Sequence, residues 1–206
     1  MNKKLFTAPL IAAAGIGILL LPGALRLPHY RRTKIDGVMS LPDAVRFCRH
    51  SGLQGWELVT FAQKLTARKF AIYSTLNLWD PPGRAFVYGM GYCTQYNLAL
   101  RLILQRLGFQ TETVFALKTR FFDNEEWTMG HTWLRVTIDG ETRDVCAASV
   151  DNEPDKVNFE PLSPVHRGHP LTMFLTHLGL ILFVGTFEWK ALLTGTEPPA
   201  WTYDEK

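Results

Sequence analysis

The chain has 206 residues, 47% of them hydrophobic and 20% charged, and a formal net charge of +3. That length is one domain's worth, enough for a full core. So small a charge, with no stripe of Lys and Arg interleaved with aromatics, argues against a nucleic-acid partner. The three cysteines, Cys48, Cys93 and Cys146, are far apart in sequence. An odd count without Cys-x-x-Cys spacing fits neither a disulfide framework nor a zinc site.

The apolar excess sits at the two ends. Leu5 to Leu25 carries no charge, with Lys3 and Lys4 before it and Arg26, Arg31, Arg32 and Lys34 after it. As a helix this run spans roughly 30 Å, the thickness of a hydrocarbon core. A cleaved signal peptide and an uncleaved anchor over residues 1–27 both fit. Pro22-Gly23-Ala24 is a poor small-x-small cleavage site and the run is long for a signal sequence, so the anchor is expected. The greater number of basic residues on its C-terminal side leans toward a cytoplasmic domain.

Ser40 is a candidate N-cap for a helix that puts Val45, Phe47 and Cys48 in apolar positions, with Cys48 expected in the core. Helical spacing continues through Leu58, Phe61, Ala62 and Leu65. NLWDPPGRAFVYGMG then breaks the pattern and reads as a loop. From Cys93 a helix apolar on most sides runs to Gly108, where a left-handed cap residue belongs. QTETVFALK reads as a strand and TRFFDNEEWTMG as an irregular, partly acidic loop whose place before His131 could gate a cleft. HTWLRVTI and ETRDVCA read as two strands turning at Asp139-Gly140. Helices, a central helix, then antiparallel strands predict an α+β domain over residues 35–165. His166 and His169 read as a polar turn. A second uncharged run, Leu171 to Phe187, predicts a hydrophobic helix over 170–194, either buried or interfacial, or a second membrane segment.

A thiol becomes a nucleophile when ionised, and a helix N-terminus and a neighbouring imidazolium both favour the thiolate. Cys93 opens its helix after two glycines, where its own amide could help to hold an oxyanion. His131 lies on the strand face opposite Leu134, Val136 and Ile138. Taken together, GYCTQYNLALRLILQRLGFQTETVFA followed by GHTWLRVTIDGETRDV resembles the core of the transglutaminase-like superfamily of papain-like thiol enzymes. The shared pattern is Gly-x-Cys opening a leucine-rich helix, a strand, then His-x-Trp running into a hairpin, over about a quarter of the chain.

The resemblance implies a papain/transglutaminase-like core and an attack on an amide or ester carbonyl through a thioester. It makes Cys93 the nucleophile, His131 the base and an acidic residue on the next strand the orienter of the histidine. Asp144 is the candidate for that third role, with Trp133 packing beside the site. The two-residue turn sets Asp144 opposite Arg135, however, four residues or roughly 13 Å along the strand from His131, so a bulge would be needed. The family's acid falls about two residues further on, at Cys146, whose own readings are packing or a redox role. Trp79 and Tyr88 are left without an assigned role.

The expected protein is therefore a membrane-anchored cysteine peptidase, amidase or acyltransferase acting on a peptide or protein, with no cofactor and no metal. Hydrolysis is preferred over acyl transfer because it needs no second organised substrate site. A leader peptidase of a modified, lasso-type peptide pathway and a non-catalytic binding module at the membrane are the alternatives.

Overall fold

A computed structural model describes residues 4–26 and 31–205 of the chain. The elements, in chain order, are α1 (Lys4–Arg26), α2 (Leu41–His50), α3 (Gly55–Lys69), β1 (Ile72–Ser74), α4 (Pro82–Tyr88), β2 (Met90–Gly91) and α5 (Cys93–Arg106). They continue with β3 (Gln110–Phe121), β4 (Asn124–Ile138), β5 (Glu141–Val145), β6 (Phe159–Pro161), β7 (His166–Arg167) and α6 (Pro170–Thr194). A short 3-10 turn at Ala200–Thr202 leads into β8 (Tyr203–Glu205). The class is mixed α+β, with a five-stranded antiparallel sheet in which β5-β4-β3-β6 run in order and β7 also pairs with β3. A second, three-stranded sheet has the order β2-β1-β8, with β1 and β2 parallel.

Local chemistry accounts for the helix boundaries. Ser40 and Asp43 cap α2 reciprocally, the Asp43 carboxylate accepting from the Ser40 amide at 2.9 Å. The segment read as a loop before Cys93 instead contains α4. Pro81 caps it and Pro82 takes its first position, where a missing N–H costs nothing. α4 ends at Gly89, which is left-handed at φ 68° and lies so close to the Lys69 carbonyl oxygen that a Cβ would stand 2.5 Å from it. Only glycine fits there.

α5 packs against α2, α3 and α4 as well as β3 and β4, with Ala99, Leu100, Ile103 and Leu104 fully buried. This central helix and the hairpin turning at Asp139-Gly140 lie where the sequence puts them, and Arg135 pairs with Asp144. The stretch read as an irregular acidic loop is instead the far end of a long β3–β4 hairpin, pairing Thr119 with Met129 and Arg120 with Thr128. Between Ala116–His131 and Thr119–Met129 the register shifts, so Leu117 and Lys118 stand against Gly130 alone. That bulge adjoins His131.

α1 and α6 pack together. The Trp189 indole donates to the Ile18 carbonyl at 2.9 Å, and Arg26 pairs with the buried Glu188 at 3.3 Å. Their outer surface carries Ile18, Leu21 and Leu25 from α1 and Phe174, Leu175, Leu182 and Leu193 from α6, all exposed. α6 is long and apolar enough to cross a membrane, and just 17% of its most apolar window is buried, unlike a core helix. The span expected over 1–27 is described in part. The backbone is helical from Lys4 to Arg26, side chains are described from Ala13 onward, and residues 1–3 and Leu27 lie outside the described residues.

Candidate active site

β2 delivers the chain to the N-terminus of α5 through a crowded corner. A Cβ on Gly91 would stand 2.7 Å from Gln95 Oε1 and 3.1 Å from the Phe70 ring. Gln95 accepts from the Tyr92 amide at 3.2 Å and donates to the carbonyls of Asn77 and Asp80 at 2.9 Å each. One side chain thus ties the first turn of α5 to the segment after β1. Cys93 is the first residue of that helix and is 8% exposed. The aligned peptide dipoles favour a thiolate at this position.

His131 is buried in an aromatic box on β4. Phe159 and Phe121 meet its ring edge-on at 4.6 and 5.0 Å between centroids, and Trp133 stacks at 6.1 Å. Its Nε2 lies 3.3 Å from Cys146 Sγ. Cys146 is fully buried, and its sulfur also receives the Asn97 Nδ2 at 3.5 Å. Asn97 follows Cys93 by four residues, on the same helix face. It donates to the Thr132 carbonyl at 2.7 Å and accepts from the Ala147 amide at 3.0 Å. It therefore clamps α5, β4 and the end of β5 together around the histidine.

Asp144 is placed elsewhere. The β4–β5 ladder is unbroken from Leu134–Val145 to Ile138–Glu141, and the Asp144 carboxylate accepts from Arg135 Nε at 3.1 Å. This ladder carries no bulge, so Asp144 pairs with Arg135, and Cys146 is the side chain that stands at the ring nitrogen. Trp133 packs beside the ring, as its position after His131 suggests. Cys48 is in the core, where burial pushes its thiol up to about 11. His166 packs on Phe115, and His169 caps α6 by accepting from the Leu171 amide.

Cys93 and His131 together line two cavities. The larger, about 650 Å³, is mostly apolar in surface but carries Arg68, Asp123, Ser149, Asn158 and Asp204 in its walls. The smaller, about 380 Å³, is walled by aromatic, aliphatic and threonine side chains from β3, β4 and α6. Tyr73 and Met129 also line both. Tyr73, unlike the unassigned Trp79 and Tyr88, faces the thiol from β1. Burial, then the Cys93 thiolate, then Tyr92, hold the Tyr73 phenol well above the usual tyrosine range, so it remains an O–H donor. The Tyr92 phenol is raised in the same way by burial and by Cys93, and it shares a 2.8 Å hydrogen bond with Nδ1 of His177 on α6.

Sequence periodicity did not single out Tyr73, Tyr92, Asn97 or the α6 residues. The one available signal was the four-residue step from Cys93 to Asn97.

The stretch 89–145 matches a family model described as N-acetyltransferase, and it contains both Cys93 and His131. No curated protein matches the chain. Among solved structures, the chain aligns with a Cytophaga hutchinsonii protein provisionally assigned as a cysteine protease, at TM-score 0.39 and 9% identity. The alignment covers 71% of this chain and 55% of that one, so the chain spans about half the length of that structure.

Proposed function

We propose that the protein is a thiol acyl-transfer enzyme held at a membrane by α1 and α6. The observation that carries this reading is the meeting of two cavities at one sulfur, one with charged groups in its walls and one with none among the described residues, and with His131 in the wall of both. Two organised spaces suit a reaction with two substrates, which shifts the preference from hydrolysis to transfer.

In the first half-reaction the Cys93 proton passes to His131 and the thiolate attacks an ester, thioester or amide carbonyl. The bond to the leaving group breaks, and His131 returns the proton to that group. In the second half-reaction His131 takes the proton of an amine. The amine nitrogen attacks the thioester carbon, the C–S bond breaks, and the thiol is restored. Tyr73 and the amides of the first turn of α5 are the donors available to a developing oxyanion. Cys146 holds the histidine ring where a carboxylate would ordinarily do so. The match to N-acetyltransferases over residues 89–145 supports thioester chemistry on this segment.

Intact-mass analysis after mixing with p-nitrophenyl esters tests the proposal. An acyl adduct on the parent protein, its loss in Cys93→Ala, and amide formation when a primary amine is added are expected. An adduct that persists in Cys93→Ala would overturn the assignment. Release of free acid alone, at a rate unaffected by amines, would return the reading to hydrolysis.

A further inference from the structure

We infer that the smaller cavity seats a long, unbranched acyl chain that enters from the apolar surface of α6; this rests on the thioester reading above. Its walls include Phe115, Leu117, Met129, Leu180, Phe183 and Trp201 together with threonine and tyrosine hydroxyls, and among the described residues no Lys, Arg, Asp or Glu lines it. A phosphate, an ammonium or a carboxylate placed there would find hydroxyls but no opposite charge to offset its desolvation. Hydrocarbon incurs no such penalty.

Size points the same way. A cavity of 380 Å³ lies in the range of small-molecule sites. At about 30 Å³ per methylene-sized unit, the share of one water in the liquid, it has room for on the order of ten carbons. A two-carbon acyl group would leave most of it empty.

The mouth explains how such a chain arrives. The β3–β4 bulge throws Leu117 outward, 66% exposed, and Phe183 of α6 is 53% exposed across from it. Both rim residues line the cavity that reaches Cys93. Leu175 and Leu182 are also exposed on the same helix. An acyl chain dissolved in an apolar phase enters between the two rim residues to reach the sulfur. The polar leaving group and the acceptor are left to the larger cavity.

The experiment measures acylation rates of the full-length protein with p-nitrophenyl esters of two to ten carbons. Each methylene that leaves water adds roughly three- to fourfold, so the rate climbs by at least about 100-fold between two and eight carbons. Leu180→Trp, which fills the cavity, and Leu117→Lys at its exposed rim are both expected to lower the eight-carbon rate several-fold more than the two-carbon rate. A flat chain-length series overturns the inference, as does a steep series that neither variant alters.

A second readout separates this inference from the thioester reading. Binding of 2-undecanone to Cys93→Ala, followed by Trp201 fluorescence with Trp201→Phe as control, needs no chemistry. Binding weakened by Leu180→Trp without any ester acylation keeps the chain site and discards the thioester. Absence of binding discards the chain site. Decanoyl N-acetylcysteamine in buffer and a decanoyl glycerolipid in phosphatidylcholine vesicles distinguish a soluble carrier from membrane lipid as donor. Acylation from either supports the inference, and from neither overturns it.

Discussion

Replacing Cys146 by alanine tests the unusual partner of the histidine. The substitution removes one sulfur, 3.3 Å from His131 Nε2 and 3.5 Å from Asn97 Nδ2. Asn97 Nδ2 keeps its 2.7 Å bond to the Thr132 carbonyl, but its second N–H loses the sulfur. With the cavity of a single small side-chain atom added, the fold should lose about 1–3 kcal/mol. The ring loses the contact that fixes its orientation, a neutral hydrogen bond worth about 0.5–1.5 kcal/mol. The acylation rate constant of Cys93 should therefore drop by about two- to tenfold. Stopped-flow release of p-nitrophenol under single-turnover conditions reads it directly. Cys146→Ser, which retains a hydrogen-bonding atom, should recover part of the rate. A rate identical to the parent, on a fold as stable as expected, would reduce Cys146 to packing.

Asp144→Asn tests the expected third-residue role of Asp144. The ion pair with Arg135 is about a third exposed on each side, so its loss should cost under about 1 kcal/mol in urea unfolding and leave acylation within about twofold. A hundredfold loss of rate would restore Asp144 to the site. Lys69 is buried, donates to the Thr33 and Val87 carbonyls, and is pushed down to about 8 by burial from an ordinary value of 10.5. Between those values the unfolded chain binds the proton that the folded one has released, so this group's contribution to stability rises with pH by about 3 kcal/mol. Cys48, pushed up to about 11 from 9.0, works in the opposite direction above pH 9, so the comparison is parent against Lys69→Met at each pH. The difference between them should grow from pH 8 to 10.5, and a constant difference would refute the burial argument. Gly89→Ala should cost about 2 kcal/mol or more by denaturant unfolding, since it adds a left-handed alanine to a Cβ clash with the Lys69 carbonyl. Unchanged stability would mean that the corner relaxes freely.

What could be read from the sequence follows the range of each interaction. The helix from Cys93 and the strand from His131 have clear periods, and the Asp139-Gly140 turn alone fixes Arg135 opposite Asp144. The same register sets Asp144 four residues along the strand from His131. α4 is hidden because Pro81-Pro82 reads as a breaker, although proline is favoured in a first helical turn. The far end of the β3–β4 hairpin was hidden by its acidic composition and by the bulge at Leu117, which interrupts the alternation. β1, β2 and β8 have two or three residues each, too few for any period. The apolar cavity depends on α6 folding back over residues from about forty to more than a hundred positions earlier, which no local pattern records.

β8 zips the tail of the chain onto β1, where Tyr73 pairs with Asp204 on one side and Gly91 on the other. The thiol lies two residues beyond that glycine. The greasy helix is thus stitched to the reactive centre by main-chain bonds at its far end and cannot drift off like a flexible stalk. If α6 sinks into oil, the sulfur goes with it to a depth set by the β1–β8 ladder, as a rigid float rides at one waterline.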